Sequence, residues 1–200
     1  ELAGVPLAAP SANPFGYLSP TRAEHVANQL GERVDLIVDG GPCTIGVEST
    51  VLDLSESPAL VLRPGAVSME QLALLLPSVQ LFDRSTQSPR APGQLPSHYA
   101  PRLPLHLRAS GTLPSARPNA MAVALCFGAA SYKNITASGK FSRVVDLSAR
   151  ADPVDAAAVL FSVLHELDTG SWSELWAERL PDCGIGRAVN DRLYKASVKD

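Results

Sequence analysis

Residues 5–65 read VPLAAPSANPFGYLSPTRAEHVANQLGERVDLIVDGGPCTIGVESTVLDLSESPALVLRPG, and three polar clusters punctuate this stretch. The first is Pro10-Ser11-Ala12-Asn13, followed by Ser19-Pro20-Thr21. The second is Gly46-Val47-Glu48-Ser49-Thr50, and the third is Arg63-Pro64-Gly65. Each sits at the end of an apolar run, where a strand releases its chain into a loop. The strands expected here are residues 34–38, 50–54 and 59–62. Hydroxyls, free backbone N–H groups and one arginine at strand ends suit an anionic small molecule. In open α/β sheets that edge is where ligands bind.

Ahead of these strands, Ser19-Pro20-Thr21-Arg22-Ala23-Glu24 predicts a helix start, with Pro20 at the first helical position and Thr21 and Glu24 as a capping box. Gly31 stops that helix. Ser68-Met69-Glu70-Gln71 opens a short helix with Leu72, Leu75 and Leu76 on one side, ended by Pro77. Residues 84–118 hold seven of the seventeen prolines, a composition that resists regular structure and predicts a linker. Beyond it the pattern changes. Residues 121–127, 143–147 and 174–177 read as strands. Asp152-Pro153 starts a helix with Ala157, Leu160, Phe161, Leu164 and Leu167 at helical spacing, and residues 186–196 form a last one. Strands alternating with helices predict a small parallel α/β domain. The expected organisation is 1–83, a linker over 84–118, and 119–200.

Composition narrows the classes. Hydrophobic residues make up 46% and charged ones 18%, which is ordinary for a globular chain with a core. No apolar run approaches the roughly 18 residues that cross a bilayer, so no membrane partner is expected. A net charge of −3 argues against a dedicated nucleic-acid binder, yet residues 84–118 carry five arginines, two histidines and no acid. Three scattered cysteines form no CxxC pair, so they read as reduced thiols of a cytoplasmic protein. The chain starts abruptly, without the basic start and apolar stretch of a secretory signal, as though cut inside a domain. Gly184-x-Gly186 lacks the preceding strand and third glycine of a dinucleotide loop. No histidine pair or carboxylate cluster has metal-ligand spacing.

The motifs PSANPFGYLSPT, GVESTVLDL, LRPG and APGQLPSHYAP, in this order and spacing, resemble those of the L-threonylcarbamoyladenylate synthase family. The resemblance is to its long form, a YrdC-like catalytic domain with an added C-terminal domain. Asp191-Arg192-Leu193 resembles the end of that added domain. The fold implied is α/β: part of a YrdC-like twisted open sheet with helices, a Pro-rich linker, then a small Rossmann-like parallel α/β domain. The activity implied is nucleotidyl transfer, making threonylcarbamoyl-AMP and pyrophosphate from L-threonine, bicarbonate and ATP. Magnesium would arrive with ATP. The product supplies a tRNA modification, and the resemblance admits tRNA or a downstream tRNA-modifying transferase as a partner. The family's upstream Lys-x-Arg motif is absent here, so these 200 residues alone are expected to be inactive.

The resemblance also assigns residues. Ser11, Asn13 and Ser19 would contact ATP, although a plain turn accounts for the first two and an N-cap for the third. Ala9 would offer backbone groups to threonine, and Ser49 would contact it, where a strand residue and a strand-entry serine are the plain alternatives. Arg63 would hold phosphate oxygens with its planar fork; a surface ion pair is its plain alternative. His98 or Tyr99 would touch ATP as the linker folds back over it. Glu48 reads as a solvated turn residue. Phe15 departs from the small polar residue common at that position. Two other readings stay open: the YrdC-like domain of a carbamoyltransferase, and a non-catalytic RNA-binding module. A salt-sensitive tRNA affinity that survives excess ATP would favour the RNA-binding module. ATP binding strengthened by threonine would favour the synthase.

Overall fold

In a computed structural model of the chain, the described residues are 4–6, 8–83, 91–93, 95, 97–114 and 121–198. Leu7, Arg84, Arg90, Gln94, Pro96 and Arg117, all part of the readings above, lie outside them. The strands are β1 Val51–Asp53, β2 Leu60–Arg63, β3 Gln80–Leu81, β4 Leu105–Arg108, β5 Ala122–Cys126, β6 Arg143–Asp146 and β7 Glu174–Glu178. The α-helices are α1 Ala23–Leu30, α2 Met69–Ala73, α3 Ala129–Ala137, α4 Pro153–Asp168 and α5 Gly186–Ser197.

Strand β5 is apolar at every position because both of its faces are covered. Val123 and Leu125 pack with Leu160, Phe161 and Leu164 of α4 and with Val189 and Leu193 of α5. Ala124 and Cys126 point the other way, against Ile135 of α3. The sheet runs β4-β7-β5-β6, parallel throughout, so the expected parallel α/β architecture is present. Helix α4 starts where the sequence predicts. Asp152 accepts a hydrogen bond from the Val154 N–H at 2.8 Å, with Pro153 at the first helical position.

The N-terminal sheet is thinner. β1 pairs antiparallel with β2, and β2 parallel with the short β3. Leu60, Leu62 and Phe82 form its own small core. Leu18 and Tyr99, both fully buried, join the larger core beneath the parallel sheet. The two parts therefore share one apolar interior.

Four local expectations fail for physical reasons. Helix α1 begins at Ala23 and has no side-chain cap. The Thr21 hydroxyl is committed elsewhere, to Ser162 at 2.9 Å, while the Thr21 N–H donates to His25 Nδ1 at 3.1 Å. Residues 34–38 form no strand. Leu36 and Val38 are exposed, and no neighbouring backbone among the described residues completes a ladder. Leu75, expected on the apolar side of α2, is also exposed. The linker 84–118 contains β4, which pairs with β7 at the sheet edge, where Pro104 just before it interrupts nothing. Helix α3 and strand β3 carried too few periodic apolar residues to be read. No described helix is long and apolar enough to cross a membrane.

At the C-terminal ends of β4, β5 and β7, one carboxylate gathers five donors. Glu178 accepts from Gly111 N–H at 2.7 Å, Ser110 Oγ at 3.0 Å, Phe127 N–H and Arg108 Nη2 at 3.2 Å, and from Ser131 Oγ. Burial pushes its pKa up, but the Ser131 and Gly111 hydrogen bonds and the Arg108 charge outweigh this and hold it below 4.5. Glu178→Gln strands the buried Arg108 charge and should cost about 3–5 kcal/mol. That is roughly 2–4 °C of Tm per kcal/mol for a chain of this size. A thermal scan that leaves Tm in place would show that the guanidinium finds other acceptors.

Candidate functional site

Four loops meet beside the N-terminal sheet. The turn after β2 lies on the GVEST loop, and a Cβ at Gly65 would run into the backbone of Glu48, Ser49 and Thr50, so only glycine fits there. That contact aims Arg63 back across the loop. Its Nε and Nη2 donate to the Ser49 carbonyl at 3.2 and 3.0 Å, Nη2 also reaches Ser49 Oγ at 3.4 Å, and Nη1 reaches the Pro92 carbonyl at 3.4 Å. Among the described residues Arg63 has no carboxylate partner. Among these residues its charge is held only by neutral oxygens, and they offer it no surface ion pair.

The linker returns over the first loop. Ala100 N–H donates to the Gly16 carbonyl at 2.9 Å, and the His98 ring meets Phe15 edge-on at 6.0 Å. Thus Phe15 packs against the linker while remaining largely exposed. Tyr99 is 1% exposed and has φ of 61°, a left-handed backbone that its packing imposes. Burial holds its phenol above the ordinary value. Burial likewise lowers His98 despite nearby Glu48, so the imidazole is neutral at pH 7, and its Nδ1 is buried with no partner among the described residues. Asn13 ties the first loop together by donating to the carbonyls of Pro14 and Tyr17, both at 3.1 Å, and its buried Oδ1 is likewise unpartnered there.

Glu48, read from sequence as a solvated turn residue, lies in the interior of this arrangement. Ser19 Oγ donates to its Oε1, and Arg192 Nε donates to its Oε2 at 2.8 Å. Burial pushes Glu48 up, but the Arg192 charge and the Ser19 hydrogen bond bring it below 4.5. A cavity of about 370 Å³ opens beside Ser19 and Glu48, lined also by Thr21, Cys43, Thr44 and Gly46. The structure thus brings Ser49, Arg63, His98 and Tyr99 together, with Ser19 next to them through Glu48. Ala9 and Ser11 are exposed, and the Ser11 hydroxyl makes no hydrogen bond among the described residues.

Sequence reading missed Arg192 and Lys195. Both are fully buried on α5, which otherwise packs Ala188, Val189, Leu193 and Ala196 into the core. Two cations on the apolar side of a helix were the available signal.

In this α/β chain four loops converge on a guanidinium with no carboxylate partner among the described residues, an arrangement chemically suited to a small anion at a sheet edge. The comparisons narrow this. Residues 67–198 match the family model described as "Threonylcarbamoyl-AMP synthase, C-terminal domain", and residues 1–65 match one described as "Telomere recombination". The chain belongs to the threonylcarbamoyl-AMP synthase family. It is 35% identical to the Bacillus subtilis threonylcarbamoyl-AMP synthase, over 97% of this chain and 58% of that protein. With the Pyrococcus abyssi synthase the identity is 34%, over 98% and 59%. The solved structure of P. abyssi Sua5 complexed with L-threonine superposes with a TM-score of 0.78 and 31% identity, covering 94% of this chain and 56% of that one. A P. abyssi Sua5 variant with an adjacent histidine and tyrosine replaced by alanine superposes with a TM-score of 0.75 and 26% identity, again over 94% and 56%. The chain spans a little under three fifths of the length of these relatives.

Ser19 is also fixed from below. His165 Nε2 lies 3.1 Å from its carbonyl, and the His165 and His25 rings stack 4.0 Å apart. Burial first, then the His165 charge, lower His25 from 6.5 to about 4, and burial lowers His165 as well. The unfolded chain therefore takes up protons that the folded chain refuses as pH falls from 6.5 toward 4, and stability is lost across that window. The depressed carboxylates Glu48 and Glu178 add to the loss only below about 4.5. Tm should decline between pH 6.5 and 5, and His25→Gln should flatten that slope. A slope unchanged in the variant would remove the pair from the explanation.

Proposed function

We propose that this chain carries the nucleotide-facing loops and the C-terminal domain of an L-threonylcarbamoyladenylate synthase, a cytoplasmic nucleotidyltransferase. Residues 1–83 would be the later part of the YrdC-like catalytic domain, 84–118 the segment crossing the site, and 119–200 the appended α/β domain. The observation that carries the reading is Arg63, a strand-end guanidinium beside Ser49 with no carboxylate partner among the described residues. The names of the relatives support the product, and the L-threonine of the solved relative supports the amino-acid substrate.

In this reading threonine's amine takes up bicarbonate with loss of water. A carbamate oxygen then attacks the α-phosphorus of ATP as the bond to pyrophosphate breaks. Such a reaction needs alignment and charge neutralisation more than a covalent nucleophile. Arg63 would exchange its carbonyl acceptors for phosphate oxygens, which match its fork and its charge. Ser11, Asn13 and Ser19 would supply further polar contacts to ATP, and Ala9 and Ser49 would face threonine. His98, neutral and half-buried, would close over the nucleotide, whereas Tyr99, also expected to touch ATP, is 1% exposed in the core and would brace His98 from behind. The double variant of the relative concerns such an adjacent pair, and His98-Tyr99 is the pair this chain has. Magnesium would come with ATP, bridging phosphates; among the described residues no cluster of three His, Cys, Asp or Glu side chains could hold it. The acid-free linker sequence would give tRNA or a downstream transferase a place to approach only through Arg84, Arg90 and Arg117, because Arg108 is buried on Glu178 and Arg102 is bound to Asp168.

The test is threonine-dependent pyrophosphate release by the protein at the relatives' full length. Arg63→Ala should raise the KM for ATP roughly 10- to 100-fold, because each charge-assisted bond is worth about 1.5–3 kcal/mol. An ATP KM equal to the wild type would remove Arg63 from the phosphate site and the reading's main support.

A further inference from the structure

We propose that Arg192 and Lys195 of α5 are positioning residues for this nucleotide site. They hold the GVEST loop, the LRPG turn and the linker residues Gly93, His98 and Tyr99 in the one arrangement that brings Ser49, Arg63 and His98 together. The proposal rests on the synthase reading and gives the last helix a task within it.

The two cations have no access to water, with side chains 1% and 0% exposed. Arg192 spends each arm of its fork on a different segment. Nε donates to Glu48 at 2.8 Å, Nη1 to Asp191 at 2.6 Å and Nη2 to the Pro64 carbonyl at 3.0 Å, while its Cζ sits 5.0 Å from the Tyr99 ring centre. Lys195 Nζ donates to Asp191 at 2.6 Å and to the Gly93 carbonyl, and the Lys195 carbonyl accepts the His98 N–H at 3.4 Å. Each of the three loop residues so held adjoins a proposed ligand contact or the residue that holds one. Glu48 precedes Ser49, Pro64 follows Arg63, and Gly93 follows Pro92, whose carbonyl receives Arg63.

Stability alone does not explain the arrangement. A buried ion pair is often no better than well-packed apolar residues of the same volume. What it supplies is direction, because a planar fork fixes three acceptors relative to one another. Displacing a reacting group by about 1 Å can cost on the order of 100-fold in rate. Gly93 is the point where the pieces touch. Its φ is 77°, and a Cβ there would run into Tyr99 Oη and lie 3.2 Å from Arg63 Cδ.

The experiment uses the full-length protein and two readouts: steady-state kinetics of pyrophosphate release, and hydrogen exchange at the amides of residues 46–50 and 97–100. Three proteins are compared with the wild type: Arg192→Lys, the charge-balanced double variant Asp191→Asn/Lys195→Met, and Glu178→Gln. The last destabilises the same sheet without touching the site. Both α5 variants should raise the ATP KM at least tenfold and speed exchange in the two loops, with Arg192→Lys the milder because it keeps one bond. Glu178→Gln should lower Tm and do neither. The proposal is overturned if the α5 variants fold with wild-type KM and exchange, or if Glu178→Gln reproduces their effect. Should they not fold, Gly93→Ala disturbs the same junction from the linker side and should raise the KM alike; a wild-type KM there also overturns it. A wild type that releases no pyrophosphate would defeat the synthase reading instead, and loop exchange alone would then decide the positioning role.

Discussion

A guanidinium sealed from water must find all its hydrogen bonds in protein, and Arg192 finds them in segments far apart in sequence. Glu48 is 144 residues away and Pro64 is 128, yet both meet the same side chain. The N-terminal sheet, with three short strands and a core of Leu60, Leu62 and Phe82, buries little apolar surface of its own. Its loops borrow rigidity from the parallel sheet, through Leu18 and Tyr99 in the shared core and through the buried cations above them. Removing one member of such a network leaves a desolvated charge, so its geometry is strongly enforced.

Two arginines in this region serve opposite ends. Arg192 is sealed from water and has each of its three nitrogens engaged, two by carboxylates and one by a carbonyl. Arg63, on the partly exposed end of β2, is parked on neutral backbone oxygens that a more negative group would displace. The structural role of Arg192 and the ligand-facing role proposed for Arg63 differ in their acceptors.

How much of this the sequence disclosed depends on the range of the forces involved. Helices α4 and α5 and strands β5, β6 and β7 were legible because periodicity and caps such as Asp152-Pro153 are local. The start of α1 was misread because Thr21 had a distant partner, Ser162, that outcompeted local capping. Strand β4 hid within a proline-rich run, since an edge strand tolerates a neighbouring Pro104. Residues 34–38 show the reverse case, a strand-like pattern with no ladder partner among the described residues. Serines, histidines and Arg63 could be nominated from motifs, whereas Glu48, Arg192 and Lys195 could not. Their meaning lies in which charges face each other after folding, and one chain read in order does not show that.

The carboxylate of Glu178 bears on where a search for ligands should be directed. The parallel sheet winds outward from β5 to β6 and then back across to β7, and in such sheets phosphates settle where the winding reverses. Here that socket is filled from within: a side chain of the sheet itself takes the Phe127 amide beside α3 and a neighbouring guanidinium. A phosphate group arriving there would face a resident anion of like sign. The crevice at that reversal is plugged from within, and the anion proposed above would have to be held by the loops of the smaller sheet instead.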